Sequence, residues 1–296
     1  MNGVYLPAIT PFVDDEVDLD SYVGLIEHYV RAGVAGVIPL GTTGESPAIT
    51  PDERDRIVDA TVQTVAGRAP VYVGVSGNVT RSVVETIHHL ERFDVAGYLV
   101  VCPYYNRPPQ DGILAHFERV ASSTSRSIIV YNIPYRTGIN IENDTLLALA
   151  DSCRNVVAVK DSSGSLAQTA DLLARAGDRL AVLTGEDNQF FTVLANGAAG
   201  GILAAAHVAT ETFVGVERRI RENDVESARR EWKLLAPIVS MLFAEPNPMP
   251  LKHCLWRMGL IRSPQCRLPL TQVSPGLAGA LDDLLATKVA QPSPSD

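Results

Sequence analysis

Short apolar runs, each followed by a loop and a longer amphipathic stretch, recur along the chain. The runs are Val4–Ile9, Gly36–Leu40, Val71–Val75, Gly97–Val101, Ser127–Tyr131, Val156–Lys160, Leu180–Thr184 and Gly200–Ala204. Each is rich in Val, Ile, Leu, Ala and Gly without strict polar alternation, as parallel strands buried on both faces require. The stretches between them carry helical start signals. Thr50-Pro51-Asp52-Glu53 combines a capping threonine, a proline at the first helical position and a glutamate that completes a capping box. Asp18 and Thr80 are expected to cap two more helices. Eight strands alternating with helices predict an α/β fold, a (β/α)8 TIM barrel over residues 1–223. A doubly wound open sheet is the rival, but no GxGxxG follows a strand. Beyond the barrel, Asp224–Phe243, Pro250–Met258 and Pro275–Ala286 are expected to form a C-terminal helical extension over residues 224–296. It should pack on the barrel as one structural unit, with Gln291–Asp296 as a frayed tail.

A length of 296 residues suits one large core or two modest ones, so length alone does not require two domains. Hydrophobic residues at 46% and charged residues at 20% are the balance of an ordinary soluble protein. The net charge of −9 argues against a nucleic-acid surface, though a few local cations can still hold an anionic substrate. Cys102, Cys153, Cys254 and Cys266 are scattered, with no CxxC or metal-ligand spacing, and read as reduced thiols in or near the core. His88 and His89 are adjacent, so on a helix they diverge by about 100° and do not share an ion. No metal or cofactor is expected. Met1–Pro11 lacks a charged segment followed by an apolar one, and no apolar run reaches the length of a membrane span. The expected location is cytoplasmic, away from membranes.

In such a barrel the chemistry sits at the C-terminal strand ends and the loops that follow. Those positions hold Gly41-Thr42-Thr43-Gly44-Glu45-Ser46, Pro103-Tyr104-Tyr105-Asn106-Arg107-Pro108, Tyr131 with Asn132–Gly138, and Lys160 with Asp161–Gly164. Val156-Val157-Ala158-Val159 delivers Lys160 to the barrel mouth, where partial desolvation favours a neutral, nucleophilic amine. Taken alone, a snorkelling lysine paired with Asp161 or Glu186 is the more ordinary explanation. Tyr131 changes the balance, because it ends the neighbouring strand and its hydroxyl could shuttle protons for imine formation, although alone a core tyrosine with a satisfied hydroxyl is the more ordinary explanation. The Thr42-Thr43 turn offers backbone donors for a carboxylate, or is simply a tight turn. Arg136 offers a fork of donors for a second carboxylate, or is a solvated loop cation.

Together these segments resemble the dihydrodipicolinate synthase / N-acetylneuraminate lyase family of class I aldolase-like barrels. The resemblance spans the chain. It takes in Pro7–Phe12, Gly41–Ser46, Pro103–Pro108, Tyr131–Gly138, Lys160, Thr184–Asp187, Glu245–Lys252 and Arg267–Leu270. It implies that Lys160 forms an imine with pyruvate and that Tyr131 shuttles protons. Thr43 and Tyr105 would relay them, Tyr105 being lent by the partner subunit of a tight dimer. It further implies that Thr42 and Thr43 grip the pyruvate carboxylate, Arg136 receives the carboxylate of the second substrate, and Ile202 lies against pyruvate. The Thr42-Thr43 turn, the Tyr104-Tyr105 pair and Arg136 resemble the synthase branch. That branch condenses pyruvate with aspartate-4-semialdehyde to 4-hydroxy-tetrahydrodipicolinate, for lysine and diaminopimelate biosynthesis. It works without a cofactor, as a homotetramer built from two dimers. The alternative is an aldolase or dehydratase acting on another 2-oxo acid, such as a hydroxy-oxoglutarate or a sugar acid. Two departures bear on the second-substrate pocket: Asp161-Ser162-Ser163-Gly164 replaces the more typical Glu-Ala-Thr-Gly, and Tyr135 stands where many synthases have a small residue. Ser46, Asn78 and Tyr104 match positions of the family's lysine-inhibition site, but Pro51, Arg54 and Ser82 replace two histidines and a glutamate. Weak or absent inhibition by lysine is expected.

Overall fold

The computed structural model describes residues 1–289, so the tail expected at Gln291–Asp296 lies outside the described residues. The strands are β1 (Gly3–Leu6), β2 (Phe12–Val13), β3 (Glu16–Val17), β4 (Gly36–Val37), β5 (Tyr72–Val75), β6 (Gly97–Val101), β7 (Ser127–Asn132), β8 (Val156–Asp161), β9 (Ala181–Thr184) and β10 (Gly200–Ile202). Eight of them form one parallel sheet in the order β4-β1-β10-β9-β8-β7-β6-β5. A bridge between Val37 and Val71 joins its two edges and closes the (β/α)8 barrel.

Each expected run therefore holds a strand. The first two stop early because Pro7 and Pro39 lack the N–H that the ladder needs. The hairpin of β2 and β3 was not legible as periodicity; Asp14 and Asp15, both at positive φ, make its two-residue turn.

Around the barrel run α1 (Leu19–Arg31), α2 (Pro51–Val65), α3 (Thr80–Leu90), α4 (Gln110–Ala121), α5 (Pro134–Thr137), α6 (Asn143–Ser152), α7 (Leu166–Ala176), α8 (Phe190–Ala195) and α9 (Thr210–Arg221). Asp18 caps α1 by accepting from the Ser21 amide, and Thr50 and Glu53 form the reciprocal box on α2. Thr80 is not a cap. Val79 takes that position, and the Thr80 hydroxyl instead bonds His116 Nδ1 at 2.9 Å, which ties α3 to α4.

Beyond residue 224 come α10 (Val225–Leu242), α11 (Met249–Arg257) and α12 (Pro275–Val289). Leu235, Val239, Leu251, Leu255 and Leu281 from these helices join the apolar layer between the strands and the barrel helices. A second, smaller cluster fills the barrel interior, with Tyr5, Ile38, Leu99, Ile129 and Leu183 facing inward from successive strands. No described helix is long and apolar enough to cross a membrane.

Candidate active site

Alternation along β8 aims Lys160 the same way as Ala158, into the barrel interior. Its residue pairs in register with Tyr131 of β7 on one side and Leu183 of β9 on the other. Lys160 is only 6% exposed, and its Nζ lies 4.2 Å from the centre of the Tyr131 ring. Burial lowers its pKa to about 8, against the opposing pull of Asp187 and Glu186. Among the described residues it forms no ion pair. Asp161, one partner considered for it, faces the other side of the strand and accepts from the Thr169 hydroxyl at 2.6 Å and the Ser163 amide at 3.0 Å. The ion pair with Asp161 or Glu186 that the snorkelling alternative needs is absent among the described residues.

Tyr131 is buried too. Burial raises its phenol to about 12, while the Thr42 hydroxyl and the Arg136 charge pull it the other way. The turn carrying Thr42 and Thr43 is bracketed by left-handed, non-glycine residues, Leu40 at φ 62° and Glu45 at φ 53°. Such conformations cost about 1–3 kcal/mol each and persist only where the surroundings enforce them. Enforcement comes from the C-terminal extension. Glu45 is paired with Lys252, both buried, and also accepts from the Arg267 amide at 2.9 Å. Lys252 donates to the Gln265 carbonyl at 2.8 Å, and Lys252 and Arg267 lie 4.1 and 4.4 Å from the Phe12 ring centre. Asn247 donates to Thr43 Oγ1 at 3.0 Å. In this turn Thr42 presents its hydroxyl to Tyr131, while Thr43, the residue expected to relay protons, lines the same cleft and accepts from Asn247.

Thr42, Thr43, Tyr131, Lys160, Asp187 and Ile202 meet in a narrow cleft. It shares Tyr135, Arg136, Gly185, Asp187, Phe243 and Asn247 with an adjoining chamber of about 600 Å³. Arg136 sits on the short helix α5 with its guanidinium 5.5 Å from the Tyr135 ring centre. Tyr105 is the one predicted residue that its own chain does not bring to Lys160. It is 88% exposed at φ 69° and does not line the cleft.

Several site residues went unassigned in the sequence. Gly185 lies so close to Lys160 that a Cβ there would fall 2.6 Å from Lys160 Cε. Asp187 is buried, raised to about 7 chiefly by that burial, and accepts from the Ala205 amide at 2.7 Å. Asn247 and Phe243 come from the extension. Only membership of the matched segments Thr184–Asp187 and Glu245–Lys252 pointed to any of these. Cys102, Cys254 and Cys266 are buried, Cys153 is half-buried, and all four are free. Among the described residues no cluster of His, Cys, Asp or Glu could hold a metal.

A closed barrel with a buried lysine of lowered pKa at the end of its sixth barrel strand defines a lyase of the class I aldolase type. The chain belongs to the dihydrodipicolinate synthetase family, whose model matches residues 1–288. It is 47% identical to 4-hydroxy-tetrahydrodipicolinate synthase 2 of Clostridium acetobutylicum over 96% of this chain and 99% of that protein. The crystal structure of dihydrodipicolinate synthase from Aquifex aeolicus aligns with a TM-score of 0.94 and 36% identity, covering 98% of each chain. That of the Thermotoga maritima enzyme aligns at 0.95 and 34%, over 98% of this chain and 99% of that one.

Proposed function

We propose that this enzyme condenses pyruvate with aspartate-4-semialdehyde to 4-hydroxy-tetrahydrodipicolinate, a step of lysine and diaminopimelate biosynthesis. The observation that carries the reading is the register pairing of buried Lys160 with Tyr131 beside the Thr42-Thr43 turn. The neutral Lys160 amine adds to C2 of pyruvate. Tyr131, with Thr42 beside it, passes protons so that water leaves and an imine forms. Backbone donors of the turn hold the pyruvate carboxylate, with Ile202 against the methyl side. Loss of a C3 proton gives an enamine, whose carbon attacks the aldehyde held through its carboxylate by Arg136. The amino nitrogen then closes the ring on C2 and frees Lys160. Lys160 itself is the electron sink, so this route needs no cofactor.

The relatives' names favour this reading over an aldolase for another 2-oxo acid. The same reading makes the chain one structural unit, because its extension holds the catalytic turn. It also makes the enzyme a cytoplasmic homotetramer, a dimer of dimers, in which each exposed Tyr105 serves the partner's site. Borohydride reduction with pyruvate should leave a pyruvyl adduct on Lys160, and a coupled assay should show turnover with aspartate-4-semialdehyde. No adduct on Lys160 overturns the mechanism; an adduct with turnover only on other aldehydes overturns the substrate.

A further inference from the structure

Ser162 follows β8, and its amide continues the ladder by donating to the Asn132 carbonyl at 2.8 Å. Alternation returns its side chain to the side that Lys160 faces. Both side chains fill the space that Gly185 leaves open, since a Cβ there would fall 2.1 Å from Ser162 Oγ and 2.6 Å from Lys160 Cε. Ser162 is fully buried, and it belongs to the segment Asp161–Gly164 that departs from the family's more typical sequence. The hydroxyls that follow it are employed locally. Ser163 Oγ accepts from the Ser165 amide at 3.3 Å, and Ser165 Oγ accepts from the Gln168 amide at 3.2 Å. Ser162 Oγ has no partner in hydrogen-bonding geometry. It still lies near enough to two groups to favour their charged forms, the Tyr131 phenol and the Glu186 carboxylate.

Glu186 keeps a buried Oε1 without a partner, and burial makes it hold a proton more tightly than an ordinary glutamate. Asp187, the other carboxylate that acts on Lys160, is engaged by the Ala205 amide at 2.7 Å. Two buried polar groups without partners, both beside the reacting amine, are a cost that folding alone does not explain.

We infer that Ser162 and Glu186 extend the Tyr131 hydroxyl into a proton relay that removes the C3 proton of the pyruvate imine, with the Glu186 carboxylate as the terminal base. This rests on the imine chemistry proposed above and deepens it, by naming where the proton goes when the enamine forms. The C3–H bond breaks, its electron pair becomes the C2=C3 double bond, and the iminium pair returns to Lys160 Nζ. The proton joins the Tyr131 oxygen as the phenol's own proton passes to Ser162 Oγ, whose proton passes to Glu186. Both hydroxyls end as they began. One iminium and one carboxylate become a neutral enamine and a carboxylic acid, so no net charge builds up in the buried cleft. Thr42, the other hydroxyl beside the phenol, can pass a proton on but cannot keep it.

The test uses pyruvate alone in D2O, so that no aldehyde takes part. Exchange of the C3 protons, followed by proton NMR, reports enamine formation, and borohydride trapping on Lys160 reports the imine. Ser162→Ala and Glu186→Gln should each slow exchange about 10- to 100-fold, while trapping stays within about twofold of wild type. The double variant should exchange no more slowly than the slower single one, because one chain is broken only once. Exchange at the wild-type rate in either variant would overturn the relay. So would additive losses in the double variant, or trapping that falls in step with exchange, which would place the effect on Lys160 itself. A wild-type enzyme that neither traps nor exchanges pyruvate would instead overturn the function proposed above.

Discussion

Gly185 has no functional group, yet replacing it by alanine should disable the enzyme. It follows β9, and its amide donates to the Asp161 carbonyl at 2.7 Å, which fixes the backbone beside Lys160. An added Cβ would lie 2.1 Å from Ser162 Oγ, 2.6 Å from Lys160 Cε and 3.0 Å from Lys160 Cγ. Contacts that short do not persist, so Ser162 and Lys160 must both move. The φ at Gly185 is not left-handed, so alanine adds no backbone strain and the effect is purely steric. Overpacking of this kind costs about 1–3 kcal/mol of stability, which a barrel this size tolerates. Catalysis is less forgiving, since a displacement of about 1 Å at a reacting group costs about 100-fold. Gly185→Ala should therefore fold, lose up to about 3 kcal/mol by denaturant titration, and form the pyruvyl imine about 100-fold more slowly in borohydride-quenched single turnovers. A variant that forms the imine at the wild-type rate would refute the packing argument, because it would show that Lys160 does not depend on the empty Cβ position.

Four further outcomes follow from the same geometry. Because the neutral amine is the nucleophile and burial lowers Lys160 to about 8, the imine-forming rate should climb as pH rises through about 8 and then level off; a midpoint near the ordinary 10.5 would contradict this. Lys252→Met leaves Glu45 buried without its cation and should lower unfolding free energy by about 3–5 kcal/mol, and a loss below about 1 kcal/mol in a denaturant titration would show that the pair does not anchor the turn. Tyr105→Phe should reduce activity about 100-fold, and co-refolding it with Lys160→Ala should restore activity in hybrid dimers; no recovery argues against a shared site. Lysine at sub-millimolar concentration should leave the rate unchanged in a steady-state assay, since Arg54 and Ser82 supply no anion for its ammonium, and clear inhibition would refute that.

The barrel was legible because parallel strands buried on both faces leave unbroken apolar runs, and closure adds no further sequence requirement. Elements too short for a period were not: the β2–β3 hairpin and the four-residue helix α5 depend on turn chemistry at Asp14, Asp15 and Pro134. Lys160 and Tyr131 were legible because both end apolar strands, and adjacent strand ends meet in space. The side-chain directions of Thr42 and Thr43 were not, since direction in a turn bracketed by left-handed Leu40 and Glu45 follows no alternation. Nor could Gly41–Glu45 reveal that its shape is held from far along the chain, by Asn247 at a separation of 204 residues and by Lys252 and Arg267. The helical extension reads as an appendage in sequence, but these contacts make it part of the site. Glu186 and Asp187 are adjacent carboxylates in the chain, yet the Ala205 amide engages Asp187 and Glu186 keeps a buried oxygen without a partner. Which donors the folded loops bring to each acid cannot be read from their adjacency in the chain.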